Sequence, residues 1–249
     1  MNNTFFTELK HCFETLGKDT SFRVIVLSAN GKHFSVGLDL KSNSPISEHE
    51  NKGEEPDVAR KAFGMYNHLL AWQSSFNALE ECIQPVIVCM HGASVGGPID
   101  MACAADIRLC SKDAWFCIKE VDIGLAADLG TLQRIETVIG NKSLARELCY
   151  TARKMQSAEA KSAGFVSQVY ETKEEMIEKA MDMAEIIASK SPVAIMSTKR
   201  NLLFSRDHTV KDSLKYQSIW NASMLQTKDT AKAAIASFQR QPPPEFSKL

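Results

Sequence analysis

Apolar residues near the start of the chain recur at helical spacing. Phe5, Leu9, Phe13 and Leu16 lie three or four residues apart, and Gly17 follows them. This period matches one face of an amphipathic helix, and glycine is common where helices end. The chain is therefore predicted to open with a helix that ends at Gly17.

The following segments predict a strand, a loop and a long helix. The run FRVIVLS at residues 22–28 is apolar and β-branched, which is typical of a buried strand. Residues 41–57 are polar, contain two prolines and lack periodicity, which predicts a mobile surface loop. Apolar residues from 58 to 79 then step by four and three, which predicts a helix with one apolar stripe.

Strands and helices alternate over the middle of the chain. The stretch PVIVCMHGASVGGPIDMACAADIRLC predicts a strand, a glycine-rich turn, a short helix and a strand. A strand in AWFCIK and helices in LGTLQRIETVIG and SLARELCYT follow. In SAEAKSAGFVSQVY, Ser157 is predicted to cap a helix, Gly164 to end it, and residues 165–170 to form a strand.

After Glu171 the pattern is wholly helical, with helices predicted at residues 174–189, 193–204, 210–224 and 230–238. The fold class is therefore α/β, with a core at residues 1–190. A helical region at residues 191–249 is predicted to pack against neighbouring subunits.

Composition narrows the function classes. The 249 residues are 44% hydrophobic and 24% charged, which suits one compact domain with a helical appendage. A net charge of -1 gives no electrostatic case for nucleic acid or an anionic membrane. The seven cysteines form no Cys-x-x-Cys pair, which favours reduced, buried thiols in an intracellular protein, and the six histidines do not cluster at zinc-like spacing.

The residues at the two ends of the chain indicate where the protein is expected to be located. The opening residues lack a basic region followed by a long apolar run, and no later run reaches membrane-spanning length, so no membrane insertion is expected. The chain ends in Ser247, Lys248 and Leu249, a tripeptide that a peroxisomal import receptor reads. A peroxisomal location is expected, with a mitochondrial one added if a leader precedes Met1.

The turn from His91 to Pro98 is a candidate oxyanion site. It leaves an apolar strand and enters a helix, where backbone N–H groups and the positive end of the helix dipole favour negative charge. Pro98 is expected at the first helical position, which proline tolerates because that N–H has no intrahelical acceptor. The N–H of Gly97 is then free to bind an oxyanion.

The same turn contains a Gly-x-Ser-x-Gly pattern, which leaves a serine hydrolase as a rival hypothesis. Ser94 stands where the nucleophile of such an enzyme lies, in the expected strand–turn–helix context. A triad also requires a later histidine, and only His208 follows Ser94.

Three carboxylates are candidates for proton transfer, namely Asp100, Glu120 and Asp128. Each has apolar or small neighbours, and burial of a carboxyl raises its pKa towards neutral pH. A lone acid in such a place is more often a helix cap or half of an ion pair.

The blocks GKHFSVGLDL, PVIVCMHGASVGGPIDMACAADIRLC, KEVDIGLAADLGTLQR, TARKMQSAEA and SRDH together resemble the crotonase (enoyl-CoA hydratase/isomerase) superfamily. The closest similarity is to the delta(3,5)-delta(2,4)-dienoyl-CoA isomerases, because the spacing of Asp100, Glu120 and Asp128 matches theirs. The resemblance implies a spiral of strand–strand–helix units, a C-terminal helical region, and homotrimers that pair as hexamers. It also implies a coenzyme A thioester as substrate, without a metal or redox cofactor.

Residue roles also follow from the resemblance. Asp128 is the base at C2, Glu120 the acid at C6, and Asp100 supports the transfer. The N–H groups of Val36 and Gly97 form the oxyanion hole.

Two residues depart from the family pattern, since a third glycine is usual at Pro98 and a smaller residue at Val36. The family's N-terminal strand and basic turn, which help hold the CoA adenine, are not matched. A hydratase, a 3,2-enoyl-CoA isomerase and a catalytically weakened CoA-binding or assembly subunit therefore stay open as alternatives.

Overall fold

The computed structural model describes residues 1–39 and 56–249. Most of the predicted loop, residues 41–55, lies outside these ranges. The strands within them are β1 (Ile25–Leu27), β2 (Val86–Met90), β3 (Ala93–Val95), β4 (Ile107–Ser111), β5 (Trp115–Cys117), β6 (Met155–Gln156) and β7 (Gln168–Tyr170). The helices are α1 (Asn3–Leu16), α2 (Val58–Glu81), α3 (Gly97–Ala104), α4 (Thr131–Val138), α5 (Lys142–Thr151), α6 (Ser157–Ser162), α7 (Lys173–Ala188), α8 (Pro192–Ser205), α9 (Val210–Met224) and α10 (Lys228–Phe238), with a 3-10 helix at Glu120–Ile123.

The strands form two sheets between which the chain passes repeatedly. A parallel sheet has the order β1-β2-β4-β7, and a smaller sheet has the order β3-β5-β6, in which β5 and β6 are antiparallel. The chain leaves β2 in the first sheet, crosses to β3 in the second, and returns through α3 to β4. This strand–strand–helix unit places the turn before α3 at the junction of the two sheets.

Strand β2 is fully buried because apolar layers cover both of its faces. Val86, Val88 and Met90 join the main core, whereas Ile87 and Cys89 pack against helix α7. Successive side chains of a strand point to opposite faces, so a strand covered on both sides must be apolar throughout. This explains the continuous apolar run that the sequence presents here.

The predicted ends of helices α1 and α6 are correct, but the glycines after them have different conformations. Helix α1 ends before Gly17 as predicted, yet Gly17 keeps a right-handed φ of -63°. A Cβ on Gly17 would lie 3.0 Å from the carbonyl oxygen of Phe13, which is a tight contact, and 3.4 Å from the Cβ of Cys82, which is an ordinary one. Helix α6 ends at Ser162, and Gly164 then adopts a left-handed φ of +80°.

Other local predictions are wrong. Of the strand predicted at residues 22–28, only β1 forms, because among the described strands β1 pairs with β2 and no other. Residues 165–170 contribute only β7. Ser157 does not cap α6, since its hydroxyl donates to the carbonyl oxygen of Lys112 and Gln156 precedes the helix. Pro98 is the second residue of α3, not the first.

All seven cysteines are free thiols, as expected. Six of them are buried, and Cys12 is the exposed exception.

The C-terminal helices begin at hydroxyl caps. The side chains of Thr172, Ser191, Thr209 and Thr227 accept from backbone N–H groups in the first turns of α7, α8, α9 and α10. Such caps satisfy donors that the helix itself leaves unpaired. None of the helices that the structure describes is long and apolar enough to cross a membrane.

Candidate active site

Helix α3 begins beside a free backbone donor. Its first residue is Gly97, and Gly96 before it has a φ of +67°. The first N–H groups of a helix have no intrahelical acceptor, and the helix dipole places positive charge there. Within residues 1–39 and 56–249, the N–H of Gly97 has no hydrogen-bond acceptor. It is therefore free to bind a negatively charged oxygen.

A second free donor lies on the segment that follows β1. Ser35 forms a parallel bridge with Ser94, and the N–H of Val95 donates to the carbonyl oxygen of Ser35 at 3.1 Å. The N–H of Val36 has no acceptor in the described part of the chain. A Cβ on Gly37, whose φ is +88°, would lie only 2.6 Å from the carbonyl oxygen of Val95, so this approach requires glycine.

Two histidines connect the segment that follows β1 to the residues between β2 and β3. His33 Nδ1 accepts a hydrogen bond from the N–H of Ala93 at 3.2 Å, which requires that this nitrogen carry no proton. In return, Nε2 of the buried His91 lies 3.0 Å from the carbonyl oxygen of Gly31. Neither role is predictable from local sequence, because each contact joins residues 60 positions apart.

Asp100 is the most deeply buried of the three predicted carboxylates. It is 1% exposed, and its Oδ1 accepts the N–H of Thr131, the first residue of α4, at 2.6 Å. Burial raises its pKa to about 7, and the charges of Glu120 and Asp128 add to that rise, against the hydrogen bond from Thr131. Asp100 therefore titrates near neutral pH while it anchors the start of α4.

Glu120 and Asp128 lie within electrostatic reach of Asp100 and of each other. Burial raises the pKa of Glu120, and the charge of Asp128 raises it further. Glu120 Oε1 lies 3.1 Å from the position of a Cβ on Gly96, beside the free N–H of Gly97, and Oε2 has no partner among the described residues. Asp128 is exposed at the surface of the chain, yet partial desolvation of its carboxyl raises its pKa.

Three coupled carboxyls beside two free donors suit proton transfer next to an oxyanion. Because their charges repel, ionisation of one carboxyl disfavours ionisation of another, so one can hold a proton while another accepts one. Exposed apolar side chains occur on the same segments, at Val36, Val121, Ile123 and Leu125. No group of three or more potential metal ligands occurs among the residues that the structure describes.

The surroundings of Ser94 do not suit a hydrolase nucleophile. Ser94 is fully buried, and its Oγ has no hydrogen-bond partner in the described ranges. The ring of His208 stacks on Phe204, and its Nδ1 contacts Asp207 and the carbonyl oxygen of Phe204. A serine nucleophile requires a histidine base within hydrogen-bond reach.

Sequence reasoning also missed a buried ion-pair cluster behind the site. Glu80 on α2 accepts two hydrogen bonds from Arg134 on α4, each 3.0 Å long, and further ones from Arg206 after α8. A second missed contact is made by Gln73 on α2, which donates to the carbonyl oxygen of Asp128. Single-sequence patterns carry no signal for either, because the partners are far apart along the chain.

The sequence of this chain is similar to those of one known protein family. The sequence model of the family described as Enoyl-CoA hydratase/isomerase matches residues 1–248. The human protein named "Delta(3,5)-Delta(2,4)-dienoyl-CoA isomerase, mitochondrial" is 47% identical over 242 residues, which cover 97% of this chain and 73% of that protein. The Arabidopsis thaliana protein named "Delta(3,5)-Delta(2,4)-dienoyl-CoA isomerase, peroxisomal" is 41% identical. The matched residues cover 98% of this chain and 87% of that protein.

Solved structures show the same architecture. An enoyl-CoA hydratase from Bacillus anthracis matches 98% of this chain and 89% of its own with a TM-score of 0.85 at 24% identity. An enoyl-CoA hydratase from Streptomyces coelicolor, described as putative in its name, gives a TM-score of 0.86 at 22% identity, with 98% of this chain and 84% of that chain covered. The predicted α/β fold with a C-terminal helical region is confirmed.

Proposed function

The chain belongs to the enoyl-CoA hydratase/isomerase family, and we propose that it converts 3,5-dienoyl-CoA thioesters to their 2,4-dienoyl isomers. The observation that carries this proposal is the mutual coupling of Asp100, Glu120 and Asp128 beside two free backbone donors. The names of the human and Arabidopsis thaliana relatives support the substrate class.

The first step is removal of a proton from C2 by Asp128. Breaking this C–H bond next to the thioester carbonyl places negative charge on the carbonyl oxygen. The N–H groups of Val36 and Gly97 stabilise that charge, because fixed donors need no reorganisation when it develops. The ionised form of Asp128 is the active one.

The second step is delivery of a proton from Glu120 to C6. The new C6–H bond takes the electron pair of the extended enolate, so the double bonds move from positions 3 and 5 to positions 2 and 4. The raised pKa of Glu120 favours the protonated form that this step needs. Asp100, which is coupled to both carboxyls, supports the return of the proton. Atoms and charge balance without a metal or redox cofactor.

Purified protein given a 3,5-dienoyl-CoA should produce the absorbance of the conjugated 2,4-dienoyl product. Asp128→Asn should slow this reaction by about a hundredfold or more, since a catalytic base contributes about 10²–10⁴-fold. A well-folded protein that gives no product would refute the proposal.

Hydration of a 2-enoyl-CoA is the second candidate function, and a 3,2-enoyl-CoA isomerase is a related one. Asp100 and Glu120 can also activate a water molecule, and the similar solved structures carry enoyl-CoA hydratase names. This candidate is favoured if the protein hydrates 2-enoyl-CoA, or moves a single 3-enoyl double bond, faster than it isomerises the diene.

We further propose that the protein assembles into a homotrimer or a homohexamer. Large apolar side chains on the C-terminal helices are exposed in the single chain, among them Val210, Leu214, Ile219 and Phe238. Contiguous exposed apolar surface commonly marks a protein interface. Light scattering should give a mass three or six times the 27.6 kDa of one chain. A monomer would refute the assembly.

We also propose that the protein is located in the peroxisome. The import receptor recognises the last three residues, Ser247, Lys248 and Leu249. The relatives carry both mitochondrial and peroxisomal names, so each compartment agrees with the family. A fluorescent protein fused before Met1 should reach peroxisomes, and deletion of the last three residues should abolish import. Unchanged import after the deletion would contradict this address.

A further inference from the structure

The direction of the Asp128 side chain depends on the backbone that carries it. Asp128 lies on a short segment between the 3-10 helix and α4, and its exposed carboxyl has no side-chain partner among the described residues. Its neighbours Ala127 and Leu129 are buried, at 5% and 3% exposure. The segment is thus anchored on either side of Asp128. The position of the Asp128 carboxylate depends on the two peptide units that flank its Cα atom.

Gln73 holds one of those peptide units directly. Its side-chain Nε2 donates to the carbonyl oxygen of Asp128 at 2.7 Å. Three residues further along, Asp100 holds the other end of the segment by accepting the N–H of Thr131. The backbone of Asp128 is therefore fixed from α2 on one side and from α3 on the other.

Helix α2 is a rigid support for this contact. Phe76, one turn after Gln73, is fully buried and packs against Phe6 of α1. Trp72 stacks on the same Phe6 ring, with centroids 4.6 Å apart. The Glu80–Arg134 pair then ties the end of α2 to α4. The part of α2 that carries Gln73 is consequently held in place by contacts with α1 and α4.

We propose that Gln73 is a positioning residue, which keeps the carboxylate of Asp128 aimed at the C2 proton by fixing the Asp128 carbonyl oxygen. This inference rests on the proposed role of Asp128 as the base. A displacement of about 1 Å at a reacting group can cost up to a hundredfold in rate, so one backbone contact can matter to the chemistry.

The chain offers a matched set of variants. Gln73→Met keeps the length of the side chain but removes the donor, and Gln73→Lys restores a donor. Gln133→Met is the control, because Gln133 lines the same cavity of about 420 Å³ as Gln73, is exposed, and makes no side-chain hydrogen bond in the described part of the chain. The cavity leaves room for all three replacements.

Steady-state kinetics with a 3,5-dienoyl-CoA should separate positioning from binding and from folding. We expect Gln73→Met to lower kcat about tenfold with KM changed less than about twofold, Gln73→Lys to recover part of the loss, and Gln133→Met to match the parent. In an Asp128→Asn background, Gln73→Met should have no further effect, because it acts through the missing base.

Two results would overturn the inference. One is an unchanged kcat for Gln73→Met when Asp128→Asn has lost activity. The other is that Gln73→Met lowers kcat by the same factor with and without Asp128. Such a result would indicate general damage to the fold, and a lower thermal unfolding temperature of Gln73→Met would accompany it. If Asp128→Asn itself keeps full activity, the proposed function fails instead, and the two failures are therefore distinguishable.

Discussion

Replacement of Glu80 by glutamine should destabilise the protein far more than the same replacement at the surface. Glu80 is 7% exposed and Arg134 is 8% exposed, so the pair is removed from water. Burial raises the pKa of Glu80, but hydrogen bonds from Arg134 and Arg206 outweigh it and bring the pKa below its usual value. The ionised carboxylate is thus the form that the fold stabilises.

The magnitude follows from what Glu80→Gln leaves behind. Glutamine keeps one carbonyl acceptor and loses the charge, so the buried guanidinium of Arg134 loses its counter-ion and Arg206 loses its anchor on α2. Breaking a buried pair by removing one partner typically costs about 3–5 kcal/mol. The expected loss of unfolding free energy at pH 7 lies in this range.

Glu136→Gln is the matched control. Glu136 also meets two cations, Arg146 at 2.8 Å and Lys142 at 3.6 Å, but their side chains are 62% and 71% exposed. Exposed pairs of this kind contribute little to stability, because solvent screens them. The charge change is the same in both variants, so the difference in unfolding free energy isolates burial.

Urea unfolding followed by tryptophan fluorescence and circular dichroism, at one protein concentration, measures both variants. Because folding lowers the pKa of Glu80, its contribution is present above its unfolded pKa of about 4.3 and is lost as pH falls through the folded value. The gap between parent and Glu80→Gln should therefore narrow in acid. If Glu80→Gln costs no more than Glu136→Gln at pH 7, the reasoning is refuted.

Three further predictions concern the site. Burial raises the pKa of Asp100 to about 7, so its ionisation costs stability above its unfolded pKa of about 4. Asp100→Asn should therefore stabilise the fold at pH 8 more than at pH 4, as measured by urea titrations. A Cβ at Gly130 would lie 1.9 Å from the Arg134 guanidinium, so Gly130→Ala should lower the unfolding temperature more than Gly124→Ala, which has a φ of +79° but nothing within 4 Å. Ser94→Ala should keep the isomerase rate, because its hydroxyl is buried without a partner in the described ranges, and fluorophosphonate labelling of Ser94 in the parent would contradict that expectation.

Much of the fold was predictable from local patterns. Helices α2, α7, α8 and α9 have long apolar periods, and their predicted spans lie within about two residues of the observed ones. Short elements were predicted less well, because their ends depend on pairing. Strand β1 is only three residues long since β2 is its one partner among the described strands, and β6 is a two-residue strand defined by its partner β5.

The sequence by itself determined which residue types stand in the turn before α3 and on the segments that carry Glu120 and Asp128, because short motifs and apolar periods are local properties of a chain. The tertiary structure alone decided that Asp100 is coupled to those two acids and that Gln73 holds Asp128. It also decided that the N–H groups of Val36 and Gly97 find no acceptor among the residues that the structure describes. The hydrogen bonds that fix these groups join residues 31 to 126 positions apart, as for Asp100 with Thr131 and Glu80 with Arg206. A pKa and a free donor are properties of the packed surroundings, which a single sequence does not contain.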